Sequence, residues 1–120
     1  MRPGGVLPRL AGTGGIVWGA VLLASGDEVW RRLEGRDPDL VEELGIRVLG
    51  GRHLLQGLAQ LVAPRATSGV VVGVDVVHAV TMGALAVGSS TRRRAALVTG
   101  GVALASAAVT RLGRRSDRPR

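Results

Sequence analysis

Ionisable residues stand inside long apolar stretches of this 120-residue chain, and this feature limits its fold more than any other. Four apolar stretches fill most of the sequence. The second contains Arg47, Arg52 and His53, and the third contains Asp75 and His78. A charged group in hydrocarbon must be paired, hydrated or neutralised, so such residues are functional candidates. The pattern predicts a multi-span membrane protein with polar side chains inside its helix bundle.

The apolar residues are mostly small. Hydrophobic residues make up 46% of the chain, yet Phe, Tyr and Cys are absent and Trp18 and Trp30 are the only aromatic residues. A soluble core of this size normally uses large rings to bury apolar area. Small aliphatic residues and 19 glycines instead suit helices that pack closely in lipid. The lack of cysteine excludes disulfides and cysteine-ligated metals.

The net charge of +7 comes from a basic set that is entirely arginine. Nucleic-acid binding would need these groups on one continuous face, preferably with aromatic stacking partners. They lie instead at the edges of the apolar stretches: Arg9, Arg92 to Arg94 and Arg111 to Arg120. Each arginine near an anionic membrane surface contributes about 1 kcal/mol to binding. We therefore predict the lipid bilayer and its anionic headgroups as partners, and no nucleic acid.

The fold class that follows is an all-α bundle of four transmembrane helices in a single domain, residues 1–120. The predicted spans are about 8–26, 40–63, 69–89 and 94–112, followed by a disordered basic tail, 113–120. In span one, Gly15 and Gly19 form a small-xxx-small pair that can contact another helix. Trp30 is expected at the membrane interface. The alternative for span one is a secretory signal cleaved near residues 24–26.

Span two is the weakest of the four. Asp37 is the predicted N-cap, Pro38 the first helical residue, and the helix continues to Ala63. Its aliphatic side chains contribute roughly −4 kcal/mol to insertion, whereas a central arginine alone costs about +2.5 to +3.5 kcal/mol. We therefore expect span two to insert only with help from neighbouring helices. A surface-lying or re-entrant helix is the alternative.

The remaining connections are short. Residues 64–68 are predicted to join spans two and three into a tight antiparallel hairpin. Gly69 and Gly73 offer a second small-xxx-small face, and self-association through such glycine faces is expected. Gly113 fits the C-cap of span four. The distribution of arginines between loops places both chain ends in the cytoplasm, although the Arg92 to Arg94 triplet argues for the opposite orientation.

The ionisable residues form a predicted polar seam between spans two and three. Residues three or four apart share a helix face, which groups Arg52 with Gln56 and Gln60, and Asp75 with His78 and Met82. Antiparallel register places Gln56 level with Asp75, whereas Arg52 reaches Asp75 only if the helices slide or bend. Arg47 points nearly the opposite way. The full set of predicted site residues is Arg47, Arg52, His53, Gln56, Asp75 and His78.

Three roles for this seam are open. The first is structural, with Asp75 paired to Arg52 or hydrogen-bonded to Gln56 and His78. The second is a proton or cation pathway through Asp75, His78 and His53. The third is a metal site on the same three residues, although the helical zinc motif HExxH is absent. No serine has a histidine and an acid arranged as a triad, and no phosphate-binding loop is complete.

The stretch from Arg47 to Gly57, followed by Asp75 to Ala79, resembles small multi-pass membrane proteins of unknown activity that are common in actinobacteria. Their second span reads RxLGxRHLxQ and their third DxxHA. The resemblance covers about residues 44–110 and implies a four-helix membrane protein without supplying a reaction. We predict a multi-pass cell-membrane protein that is not an enzyme, without cofactor or metal, acting as a structural or accessory component. The alternative is a small proton- or cation-coupled transporter or channel using Asp75 and His78.

Overall fold

The computed structural model describes residues 5–116, which form four α-helices and no strand. The helices are α1 (Val6–Glu34), α2 (Leu40–Val62), α3 (Pro64–Gly88) and α4 (Arg93–Ser116). The bundle measures 51 × 28 × 18 Å, and its long dimension exceeds the ~30 Å hydrocarbon thickness of a bilayer. The predicted all-α four-helix bundle is confirmed.

The closest helix pair is α1 and α2, which run antiparallel with their backbones in near contact. Gly19 faces Gly50, and a Cβ placed on Gly19 would lie 2.6 Å from the Gly50 carbonyl oxygen and 2.7 Å from the Leu54 nitrogen. Only glycine fits such an approach, which brings the two helices within van der Waals distance along their length. The predicted use of Gly15 and Gly19 as a contact face is confirmed, since both lie against α2.

The second close pair is α3 and α4, and α4 also packs on α1. Alanines fill most of the buried face of α4: Ala95, Ala96, Ala103 and Ala107. At one end the Ala95 backbone nitrogen donates a 2.7 Å hydrogen bond to the Glu34 carboxylate. Around the bundle the order of close packing is therefore α2–α1–α4–α3, and α2 touches α3 at few points.

The predicted antiparallel turn between spans two and three is present, but its bounds and its packing differ from the prediction. Residues 64–68 are not a connection, because α3 begins at Pro64 and only Ala63 separates it from α2. A proline at the first helical position has its φ already set for the helix, so Pro64 starts α3 as well as ending α2. The glycine face of α2 is occupied by α1, which leaves only side chains to reach α3.

The first helix extends beyond the predicted end of span one at about residue 26. The helix α1 continues to Glu34, with non-helical angles at Ser25 (φ −140°, ψ 24°) where the apolar stretch ends. Past this kink, Glu28 pairs with Arg31 at 3.2 Å and with Arg32 at 2.9 Å, contacts three and four residues apart that support helix. Gly35 ends α1 in the left-handed conformation, φ 71°.

The N-cap of α2 is Asp39, two residues later than the predicted Asp37. The Glu42 backbone nitrogen donates to the Asp39 carboxylate, and the Asp39 backbone nitrogen donates to the Glu42 carboxylate, both at 2.8 Å. This reciprocal capping box satisfies two helix-end donors at once. The start of α2 is therefore set by the Asp39–Glu42 capping box and not by Pro38.

The glycine prediction in α4 is wrong as well. Gly113 is not a C-cap, because α4 continues to Ser116 and Gly113 packs on Pro8, where no Cβ would fit. The basic tail is thus helical at 113–116, and 117–120 lie outside the described residues. Gly69 and Gly73 are exposed on α3, with Gly69 beside Arg114 and open space around Gly73, so self-association through this face stays a prediction.

The burial pattern of the described residues is inverted relative to a water-soluble protein. The largest fully buried side chains are all polar: His53, Gln60, Thr110, Asp75 and Ser68. Large apolar side chains lie outside, with Val62 and Val87 each 83% exposed. Three helices, α1, α3 and α4, are long and apolar enough to cross a membrane. The helix α2 is not among them, in agreement with its weak predicted insertion.

Candidate functional site

The centre of the polar seam is Asp75, which is 0% exposed on α3. Its Oδ1 accepts a 3.0 Å hydrogen bond from the Gln56 amide and lies 3.4 Å from the Arg52 guanidinium. Both partners belong to α2, so this carboxylate joins two helices that otherwise touch at few points. The predicted level of Gln56 with Asp75 is reproduced, and the Arg52 side chain is long enough to reach the same oxygen.

The histidines flank this contact differently. His53 is 2% exposed and its Nε2 lies 3.4 Å from Arg52 Nη2, a contact whose donor depends on the histidine tautomer. His78 is half-buried, and its Nε2 has no hydrogen-bond partner among the residues described. Asp75 Oδ2 and two guanidinium nitrogens of Arg52, Nε and Nη1, are also buried without one. The seam is therefore charge-paired but only partly hydrogen-bonded.

The structure does not bring Arg47 into this site. Its guanidinium pairs with Glu43 at 2.6 Å, one helical turn earlier, and its side chain is 67% exposed. This agrees with the prediction that Arg47 points away from the helix face that carries Arg52, Gln56 and Gln60. The arginine near the start of α2 thus lies on the surface of the bundle, and Arg52 is the arginine that faces α3.

A second buried polar contact connects α2 to α4, one helical turn after Gln56 on the same face of α2. Gln60, 1% exposed, donates a 3.0 Å hydrogen bond to the Thr110 hydroxyl, which is 0% exposed. The sequence places Gln60 on the Arg52 face but gives no signal for Thr110, because its partner stands 50 residues away. Polar pairs of this kind hold helices together in lipid with about 0.6 kcal/mol on average.

Sequence reasoning missed a third polar cluster, at the end of the bundle where α2 and α4 begin. The Glu42 carboxylate accepts hydrogen bonds from Arg36 at 2.7 and 2.8 Å and from Arg92 at 2.8 Å. Arg92 also lies 3.3 Å from Asp39. The Glu42 side chain is 3% exposed. Arg36 from the connection between α1 and α2 and Arg92 from the connection between α3 and α4 therefore pair with one buried acid.

This cluster controls the ionisation of Glu42, which precedes the apolar stretch of α2 that begins at Leu44. The hydrogen bonds from Arg36 lower the Glu42 pKa from 4.5 to about 2, helped by the Asp39 backbone and Arg92 and opposed by burial. The same contacts raise the pKa of Arg92. Because the folded-state pKa is the lower one, the stabilisation is complete above about pH 4.5 and is lost as the pH falls towards 2.

Substituting Glu42 by glutamine tests this. Glu42→Gln is expected to lower the free energy of unfolding at pH 7 by about 1.5–3 kcal/mol, the range for hydrogen bonds to charged groups. Glu43→Gln is the matched control, since Glu43 pairs with the exposed Arg47, and we expect a change below about 0.5 kcal/mol. Unfolding in mixed detergent micelles, followed by circular dichroism, measures both. A Glu42→Gln deficit that persists unchanged at pH 2 would contradict the assignment.

A cavity of about 380 Å³ lies between the polar seam and the Glu42 cluster. It lies where α2 and α3 do not pack against each other, and it extends from Arg52 and His78 to Arg92. Both tryptophans of the chain, Trp18 and Trp30, line it. Trp30 is 8% exposed with the Arg36 guanidinium 5.3 Å above its ring, so its indole packs inside the bundle, and its depth at the membrane interface stays a prediction.

Within residues 5–116 no group of three or more histidine, cysteine, aspartate or glutamate side chains is placed to hold a metal ion. The metal site considered for His53, Asp75 and His78 is therefore not assembled. No protein-family model matches the chain, and no curated protein or solved structure is found to be similar to it.

Proposed function

We propose that the protein is a four-span integral membrane protein of the cell membrane with a structural or accessory, non-enzymatic role. The observation that carries this is the inverted burial, because polar side chains such as Gln60 and Asp75 occupy the interior while leucines and valines face outward. Water would penalise that arrangement, whereas lipid favours it. Three apolar helices long enough to span a bilayer support the same conclusion.

The helix α2 is the fourth span in this proposal. Its mean hydropathy is too low to qualify alone. Apart from the Glu43–Arg47 pair near its start, however, its polar residues in the apolar stretch face inward. Its outward face is apolar, with Val48 72%, Leu55 70% and Val62 83% exposed. The glycine contacts with α1 and the ion pair with Asp75 supply the help from neighbours that an arginine-bearing span requires.

The polar seam then acts as a positioning contact. An arginine and a carboxylate that can satisfy one another only between α2 and α3 fix which faces of these helices meet. The complete burial of Asp75 supports this role over a transport role, since a transport carboxylate must be reached by water. Arg94 and the arginines at the end of α4 are exposed and are placed to bind anionic headgroups.

Single cysteines in this naturally cysteine-free chain test the number of spans. We expect Asp37→Cys in the first connection and Ser90→Cys in the third to react with a membrane-impermeant maleimide from one side of a vesicle. Ala66→Cys, next to the turn between α2 and α3, is expected to react only from the other side. If Asp37→Cys and Ala66→Cys react from the same side, α2 does not cross and the four-span proposal fails.

A proton- or cation-coupled transporter is the second candidate. It is favoured by the buried groups without hydrogen-bond partners in the described chain, Asp75 Oδ2 and His78 Nε2, which would accept an ion or a proton. Under this candidate, reconstituted protein gives a flux under a proton or cation gradient, and Asp75→Asn abolishes it. Under the structural role, vesicles with and without the protein show the same flux.

A further inference from the structure

Residues that line the cavity between α2 and α3 carry hydrogen-bond donors that have no partner elsewhere in the described chain. Trp18 and Trp30 each have a buried Nε1–H without a hydrogen-bond partner, and Arg52 has two such nitrogens. The Nε2 of His78 is likewise unpartnered and can donate or accept according to its tautomer. Leaving such groups unsatisfied costs free energy, so several together in one cavity indicate a ligand with acceptor atoms.

The charges around the cavity restrict that ligand further. Arg52 faces Asp75, and Arg92 faces Glu42 and Asp39, so each lining cation already has an acid beside it. A ligand that brought another negative charge would leave a net charge buried in lipid, which is costly. The ligand is therefore neutral, with acceptors but without net charge.

The walls and the opening of the cavity define the remaining part of the ligand. Between its polar ends the cavity is lined by Leu22, Ile46, Leu49, Met82 and Leu85. Val41 and Val48 also line it and are exposed, so the cavity opens on the outer surface of the bundle, towards acyl chains in the membrane-embedded state. A volume of about 380 Å³ is within the range of about 300–1,000 Å³ that small-molecule sites occupy, at its lower end.

We propose that this cavity binds a neutral lipid-soluble carbonyl compound of the quinone class. An oxidised quinone has carbonyl oxygens as acceptors, no N–H or O–H donor, and a flat ring that packs against indoles. Its oxygens accept hydrogen bonds from the Trp18 and Arg52 nitrogens at the end of the cavity lined by Arg52 and His78. Its apolar tail leaves the cavity between α2 and α3. This inference rests on the membrane position proposed above.

The two indoles are the natural reporters of binding, because both line the site. Decylubiquinone is titrated into the intact protein in phosphatidylcholine nanodiscs while tryptophan fluorescence is recorded. We expect saturable quenching. Decylbenzene, which has a similar tail but no carbonyl, and palmitate, which has a carboxylate, are expected to compete at least tenfold less well, since neither meets the requirement for a neutral acceptor.

Trp18→Phe keeps a ring but removes one donor, and Trp30 still reports. It is expected to raise the half-saturation concentration about three- to tenfold, the ratio for one lost neutral hydrogen bond. Thr81→Val is the matched control, since the Thr81 hydroxyl donates to Val77 on the exposed side of α3, outside the cavity, and no change is expected. Helical circular dichroism confirms that both variants fold.

Several outcomes overturn the proposal. Quenching that rises linearly without saturation, or that matches the quenching of a tryptophan ester in the same nanodiscs, means that the probe only dissolves in the lipid. Equal competition by palmitate means an anionic-amphiphile site. If the cysteine accessibilities place α2 across the bilayer and quenching still fails to saturate, only this inference falls. If α2 does not cross, both fall.

Discussion

Asp75→Asn is expected to lower the free energy of unfolding of the bundle by about 3–5 kcal/mol, the range for removing one partner of a buried ion pair. Asparagine can still accept the Gln56 hydrogen bond, but it leaves the Arg52 guanidinium without its counter-charge inside the bundle. The measurement is unfolding in mixed micelles followed by circular dichroism. A variant as stable as the parent would mean that Asp75 holds no charge that the fold depends on.

The matched control removes both charges. The double variant Arg52→Leu/Asp75→Leu is expected to recover most of the stability lost in Asp75→Asn, because apolar replacement of a complete buried pair is often neutral. The Gln56 amide then loses its acceptor, so we expect a residual deficit of about 1–3 kcal/mol for the unsatisfied group. A double variant less stable than Asp75→Asn would show that the ion pair itself does not determine the effect.

Gly19→Ala is expected to destabilise the bundle by about 1–3 kcal/mol, the typical cost of forcing atoms into a packed interface. The added Cβ would fall 2.6 Å from the Gly50 carbonyl oxygen and 2.7 Å from the Leu54 nitrogen, and both are backbone atoms that cannot turn aside. The helices α1 and α2 must therefore move apart. Gly19→Leu should prevent their pairing altogether, measured by the same unfolding assay.

Gly14 supplies the control on the same helix. It is exposed, and a Cβ there would meet nothing within 4 Å. Gly14→Ala is therefore expected to leave stability unchanged or to raise it by about 0.5–1 kcal/mol through better helix propensity. Equal losses in the Gly14 and Gly19 variants would contradict a specific close contact between α1 and α2.

Helix content and register were predictable from the sequence because they depend on local spacing. Apolar stretches of sufficient length gave the helices, and the 3.6-residue period placed Gln56 and Arg52 on one face. Antiparallel register then set Gln56 level with Asp75, where the structure has a hydrogen bond. Arg47 was predicted to face away by the same geometry, and it does.

The choice of neighbouring helices was not predictable in this way. A short connection suggested that α2 packs on α3, but fit between backbones decides the pairing, and the glycines of α2 meet those of α1. The Glu42 cluster was missed because Arg92 lies 50 residues along the chain. One local signal was available, since Asp39 and Glu42 have the spacing of a capping box.

The leucine and valine face of α2 is expected to lie against acyl chains, while Arg52 and Gln56 face inward. Spin labels attached to single cysteines at Val48, Leu55 and Val62 in reconstituted protein measure this through collisions with oxygen and with a water-soluble nickel complex. We expect oxygen contact to dominate at Leu55, in the middle of the helix, and nickel contact to increase towards Val62. Strong nickel contact at Leu55 would place this face of α2 in water and contradict a membrane-spanning α2.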